Sequence, residues 1–158
     1  LNGVAETVQL LKARGIKKVG IMATDGTIRS RLLARELDNA GLLPVVPSEE
    51  RQADVMHLIY QNVKAGKKPE MDRFYRVRQE LMDCGAEVIL LGCTELSLIK
   101  RDEVIGDGFL DIMEVLAREA VLRCGKKLRP EFENLIGGKI GAAKHSGISG
   151  KNGTACAG

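Results

Sequence analysis

The sequence contains no tryptophan. Its aromatic residues are five in number: Tyr60, Phe74, Tyr75, Phe109 and Phe132 in 158 positions. Any core must therefore be aliphatic, and 44% hydrophobic residues suffice to build one for a single domain. No apolar run approaches the length of a bilayer-spanning helix, and no basic-then-apolar leader opens the chain, so no membrane partner is expected. Histidine occurs only at 57 and 145, too rarely for a His-rich metal site. The four cysteines, at 84, 93, 124 and 156, match neither a disulfide scaffold nor a CxxC metal pattern, which suits a reducing, cytoplasmic setting. A charge surplus is missing as well. Residues 1–134 hold 21 Lys+Arg against 21 Asp+Glu, and the net +3 comes from Lys139, Lys144 and Lys151. A nucleic-acid surface built on bulk charge is thereby excluded. Both nucleotide fingerprints fail too. Gly26 belongs to no GxGxxG, and GGKIGAAK lacks the GxxxxGK[ST] spacing.

What is present is an alternation of short apolar runs and helical periodicities. VAETVQLLKAR (4–14) has helical spacing and stops at Gly15, and KKVGIMA (17–23) has strand length. TDGT (24–27) reads as a turn, followed by a helix over 28–41. LLPVVPS (42–48) reads as an extended segment that Pro44 confines to a sheet edge. Ser48 with Glu49 and Glu50 starts a helix running to about Lys64. Another begins at Pro69–Glu70 and ends at Cys84. EVILLG (87–92) is the clearest buried strand, ELSLI begins a short helix, FLD (109–111) is a last short strand, and 112–124 is helical. Strands alternating with helices predict a three-layer α/β lobe with a parallel sheet, whose sites lie beyond the carboxyl ends of the strands. Two turns fall at such ends, TDGT and GCTE (92–95). Residues 1–134 form this domain. Residues 135–158 hold seven of the eighteen glycines and no acidic residue, and are expected to be a disordered tail.

Cys93 can be read two ways. Cysteine often serves as a small buried hydrophobe, and Cys84 and Cys124, each closing an apolar helix before a glycine, fit that role. Cys93 instead follows a strand and a glycine and precedes a helix start. Unpaired backbone N–H groups there favour thiolate, lower its pKa and can hold a carboxylate or a developing enolate.

The segment GAEVILLGCTELSLI (85–99) resembles the carboxyl-terminal cysteine motif of the aspartate/glutamate racemase superfamily. GIKKVGIMATDGTIRS (15–30) resembles the start of the second lobe in its aspartate racemase branch, and FLDIMEVLAREAV (109–121) resembles its final helix region. This resemblance implies one half of a two-lobe, pseudo-symmetric fold. It also implies racemisation of a small acidic amino acid such as aspartate or glutamate, with neither pyridoxal phosphate nor metal. One cysteine from each lobe would move a proton on opposite faces of the substrate. Cys93 matches the second-lobe cysteine. Thr94 and Glu95 are implied substrate contacts, as are Thr24 and Thr27 at the other strand end. Lys67 is the implied contact for the substrate's side-chain carboxylate, with Lys64 and Lys68 as competitors.

The first-lobe Cys-Asn-Thr type motif is not in this sequence, which opens at Leu1 where the second lobe begins. The first lobe is thus expected as a missing partner, and the isolated chain is expected to be inactive. The final helix is expected to reach toward that lobe, leaving an apolar face and an opening to homodimerise. Family members carry histidine where this chain has Leu116, and Asp111 matches an acidic residue that could equally be an N-cap. A hydantoin racemase, a maleate isomerase and a non-catalytic carboxylate-binding module are the alternatives.

Overall fold

The computed structural model describes residues 1–137 of the chain. Four parallel strands, β1 (Lys18–Met22), β2 (Leu43–Val45), β3 (Val88–Leu91) and β4 (Phe109–Asp111), form one sheet in the order β2-β1-β3-β4. Pro44 sits on the outer strand, where its missing N–H costs no ladder bond. Helices α1 (Gly3–Ala13), α3 (Leu32–Asn39) and α7 (Ile112–Arg123) belong to one face. Helices α4 (Glu49–His57), α5 (Met71–Asp83) and α6 (Thr94–Asp102) belong to the other. The central strand β3 serves both faces: Ile89 and Leu91 enter one apolar cluster, Val88 and Leu90 the other. Phe74 and Phe109 stack at 5.3 Å within the first cluster, which is otherwise mostly aliphatic. No helix among the described residues is long and apolar enough to cross a membrane.

Five details depart from expectation. The TDGT turn is the first turn of a helix: Thr24 caps α2 (Asp25–Ser30) by accepting from the Thr27 N–H. The single helix expected over 28–41 is broken at Arg31, which adopts a left-handed φ of 54°. Ser30 is the cause. Its hydroxyl donates back to the Thr27 carbonyl at 2.9 Å and accepts from the Leu32 N–H at 3.3 Å, ending one helix and starting the next.

The helix from Ser48 does reach Val63, but Leu58–Val63 is π-helical. The final helix turns inward rather than away. Val115 is buried, and Gly3 of α1 lies so close to Leu116 and Ile112 that a Cβ there would meet them at 2.9 and 3.0 Å.

The fifth departure concerns the start of the tail. Leu135 and Ile136 are buried, and the Ile136 carbonyl accepts from the Gly108 N–H at 3.0 Å. Lys100 anchors this strap. Its side chain is 17% exposed, and its ammonium donates to the carbonyls of Phe109 and Leu135 at 3.2 Å each and to Glu114 at 2.6 Å. Lys100→Met leaves two carbonyls and a carboxylate without their donor, and should cost about 1–3 kcal/mol in urea unfolding. An unchanged midpoint would contradict this role. The remainder of the expected disordered tail, 138–158, lies outside the described residues.

Candidate active site

The strand order places the site. From β1 the chain moves outward to β2, then crosses back to β3 and continues to β4, so the connections leave β1 and β3 in opposite directions. Ligands of such sheets bind at that divergence, beyond the carboxyl ends. Met22 pairs with Leu91, and the Gly92 N–H donates to the Met22 carbonyl at 2.9 Å. Thr24 and Cys93 each lie two residues beyond that last pair. Gly92 permits the approach, since a Cβ on it would meet the Ala23 Cβ at 3.3 Å.

Cys93 is the N-cap of α6 and is half-buried. Its thiol donates to Glu95 Oε2 at 2.7 Å, and the exposed Thr94 hydroxyl donates to the same oxygen at 3.0 Å. The other carboxylate oxygen lies 3.7 Å from Lys64 Nζ. Behind the turn, the Ser97 hydroxyl lies 2.9 Å from Asp111 Oδ1 and 3.3 Å from the Cys93 carbonyl. Asp111 is 2% exposed and also caps α7 through the Met113 N–H at 2.8 Å. This confirms its N-cap role and ties the cysteine's backbone to β4.

The cysteine differs electrostatically from expectation. Backbone N–H groups of Glu95 and Leu96 do favour its thiolate, but burial and the neighbouring Glu95 carboxylate outweigh them and push the thiol up to about 11. The thiol in turn holds the Glu95 carboxyl below its usual range, with help from Thr94 and Lys64. At neutral pH the pair is a protonated thiol on an ionised carboxylate. Glu95→Gln removes the charge and should therefore lower the Cys93 pKa. Alkylation at pH 8 is expected to accelerate about three- to tenfold. Slower alkylation in the variant would show that Glu95 acts in the opposite sense.

The other residues singled out by sequence divide into two groups. Thr24 and Thr27 sit with their hydroxyls 3.1 Å apart at the end of β1. Gln52 supports them, its amide donating to the Ala23 carbonyl at 2.9 Å and to Asp25 at 3.0 Å. Lys67 is not among the residues bonded to Cys93 or Glu95. It lines a depression of ≈450 Å³ with Lys68, Pro69, Leu98, Asp102 and Glu103. Lys64 is the lysine brought to Glu95. Sequence reasoning missed Gln52 and Ser97, whose partners lie 29 and 14 positions away and leave no local signature. Cys84 and Cys124 end α5 and α7, at the amino edge of the sheet, away from Cys93.

A family profile described as Asp/Glu/hydantoin racemase matches residues 1–120. An uncharacterised protein of Pectobacterium carotovorum is 30% identical over 117 residues, covering 73% of this chain and 78% of its own. A glutamate racemase of Geobacter metallireducens is 28% identical over 134 residues, covering 73% of this chain and 44% of that enzyme. Among solved structures, the Picrophilus torridus aspartate racemase superposes with a TM-score of 0.67 at 23% identity, over 84% of this chain and 56% of that one. An aspartate racemase homologue from Pyrococcus horikoshii gives 0.70 at 22% identity, over 80% and 56%. At such identities the structural likeness is one of fold. The chain spans about half the length of the glutamate racemase and of these two solved structures.

Proposed function

Because the chain belongs to the Asp/Glu/hydantoin racemase family, we propose that it supplies one proton-transfer face of a cofactor-independent racemase acting on an acidic amino acid, with aspartate favoured. The observation that carries this reading is the Cys93 thiol resting on the Glu95 carboxylate at the divergence of β1 and β3. As a thiol, Cys93 can return a proton to Cα. As a thiolate, it can remove one, and the electron pair left on carbon spreads into the substrate's α-carboxylate. The raised pKa makes the thiolate scarce but strongly basic, which suits abstraction of a weakly acidic Cα proton.

The N–H groups opening α6, with the hydroxyls of Thr94, Thr24 and Thr27, would hold the α-carboxylate and its growing charge. Lys64, 3.7 Å from Glu95, would take the place expected of Lys67 and meet the side-chain carboxylate as a point charge. Glu95 would orient the thiol by accepting its hydrogen bond, or face the substrate's ammonium. Inversion needs a second group on the opposite face, which this reading assigns to another lobe preceding Leu1. A cytoplasmic location fits both the thiol chemistry and the substrate.

The test follows Cα deuterium incorporation into L- and D-aspartate in deuterated water, using the longer protein obtained by including upstream coding sequence. Exchange that Cys93→Ala abolishes is expected. Exchange untouched by that variant would remove Cys93 from the mechanism. A second reading, a carboxylate-binding module without chemistry, is favoured by the thiol's being protonated at neutral pH. It predicts aspartate binding that survives Cys93→Ser, with no exchange. Exchange with a hydantoin, or conversion of maleate, in place of aspartate would reassign the substrate within the family.

A further inference from the structure

Lys64 reaches Glu95 from an unusual mount. It caps the π-helical segment Leu58–Val63, and its N–H donates to the Ile59 carbonyl at 2.9 Å, five residues back. Such turns are rare and recur at functional sites. In an α-helix, residue i+4 is displaced about 40° around the axis from residue i. The wider π turn reduces this offset, so Lys64 comes to stand over Tyr60. Its ammonium lies 4.3 Å from the Tyr60 ring centroid.

The backbone of this mount is fixed independently of the ring. Leu58 and Ile59 are fully buried. The Asn62 side chain, also buried, accepts from the Glu70 N–H at 3.0 Å and donates to Glu70 Oε1 at 3.3 Å. Its carbonyl accepts from the Lys67 N–H at 2.9 Å. What the backbone does not fix is the four-carbon stem of Lys64, whose side chain is 44% exposed. Two groups hold its charged end: the Tyr60 face on one side, and Glu95 Oε1 at 3.7 Å on the other. Glu95 Oε2 in turn accepts a hydrogen bond from the Cys93 thiol at 2.7 Å. The charged groups facing Cys93 are thus Glu95 from its own helix, Lys64 from the π segment, and Asp111 of β4 through Ser97.

We infer that Tyr60 is a positioning residue, whose ring holds the Lys64 ammonium against Glu95 and so sets the reactivity of Cys93. The π-electron face is the working part, while the hydroxyl is dispensable. An ammonium at that place offsets the Glu95 charge and makes ionisation of the thiol easier. Freeing Lys64 leaves the carboxylate uncompensated and the thiol harder to ionise. As a role in catalysis, this rests on the racemase reading. As a statement about Cys93, it does not.

Two measurements on the full chain, without substrate, test it. The first follows the Lys64 εCH2 resonances by NMR. They should show an upfield ring-current shift that Tyr60→Phe retains and Tyr60→Leu loses. The second follows alkylation of Cys93 against pH by peptide mapping. Tyr60→Leu should slow alkylation at pH 8 about two- to fivefold, the range of an exposed cation–π contact, and move the profile to higher pH. Tyr60→Phe should match the unsubstituted chain. Lys64→Met should slow alkylation at least as much as Tyr60→Leu, and adding Tyr60→Leu to it should change nothing further. The inference is overturned if Tyr60→Phe behaves like Tyr60→Leu, if Tyr60→Leu still acts in the Lys64→Met background, or if Lys64→Met leaves the profile in place. None of these readouts involves turnover. Failure here leaves the racemase reading standing, and absent Cα exchange leaves this inference standing.

Discussion

L-Aspartate incubated with the 158-residue chain alone is expected to keep its configuration. The reason lies in the geometry of inversion. A proton leaves Cα on one side and must be delivered on the other, and a thiol fixed at the N-cap of α6 serves only one side. A retreating thiol that returns its proton restores the starting enantiomer. Each positioned acid or base contributes about 10²–10⁴-fold, so, on the proposed reading that the second group belongs to another lobe, inversion should lie beyond ordinary assay times. Among the described residues, the other cysteines stand at the opposite edge of the sheet from Cys93. If the proposed reading holds, adding that other lobe should yield inversion. In that complete form, Cys93→Ala should reduce it by about 10²–10⁴-fold while aspartate still binds. Polarimetry or a chiral separation reads the result directly. Rapid inversion by the chain alone would require a second acid–base group within it and would end the two-lobe account.

The parts of the site carried by local sequence were legible in advance. A glycine then a cysteine after four buried aliphatics, followed by Thr-Glu, can hardly be anything but a strand end running into a helix start, and Cys93 occupies that position. The dipole rule that located it also supplied the wrong sign for its pKa. Helix-start donors are visible in sequence. Half-burial of the sulfur and the folding back of the Glu95 carboxylate onto it are three-dimensional facts, and they win. The choice among Lys64, Lys67 and Lys68 was likewise beyond periodicity. An α-helical count cannot foresee a π turn, whose extra residue per bond changes the direction in which Lys64 leaves the helix. The break at Arg31 arises from the Ser30 side chain competing for backbone partners, a local effect that apolar spacing does not register. The sheet, by contrast, needed only alternation and a proline at its edge.

The largest stability effect is expected at a residue remote from the cysteine. Asp54 of α4 is 5% exposed and is surrounded by three guanidinium groups. Arg51 donates to it at 2.8 Å from the same helix, while Arg73 and Arg76 of α5 donate at 2.7 and 3.1 Å. Burial alone would raise its pKa, but the hydrogen bonds from Arg76 and Arg73 and the charge of Arg51 prevail and hold the carboxyl below its ordinary range. This carboxylate ties α4 to α5, alongside Ser48 with Glu80 and His57 with Glu70.

Asp54→Asn keeps the shape, removes the charge and leaves Arg51, 14% exposed, with only the exposed Glu50 carboxylate as an ionic partner. A fully buried pair broken in this way costs about 3–5 kcal/mol. Arg73 and Arg76 can turn to water, being 31% and 48% exposed, so about 2–3 kcal/mol is expected at pH 7. The pH dependence has a definite sign. A carboxyl whose folded pKa is depressed contributes its stability above the unfolded value, about 3.9, and loses it as pH falls through the folded value. The gap between the unsubstituted chain and Asp54→Asn should therefore be constant above about pH 5 and close progressively below pH 4. Urea unfolding at pH 7, 5, 4 and 3 measures it. A variant as stable as the unsubstituted chain at pH 7, or a gap that widens in acid, would show that the three arginines are held by something other than Asp54.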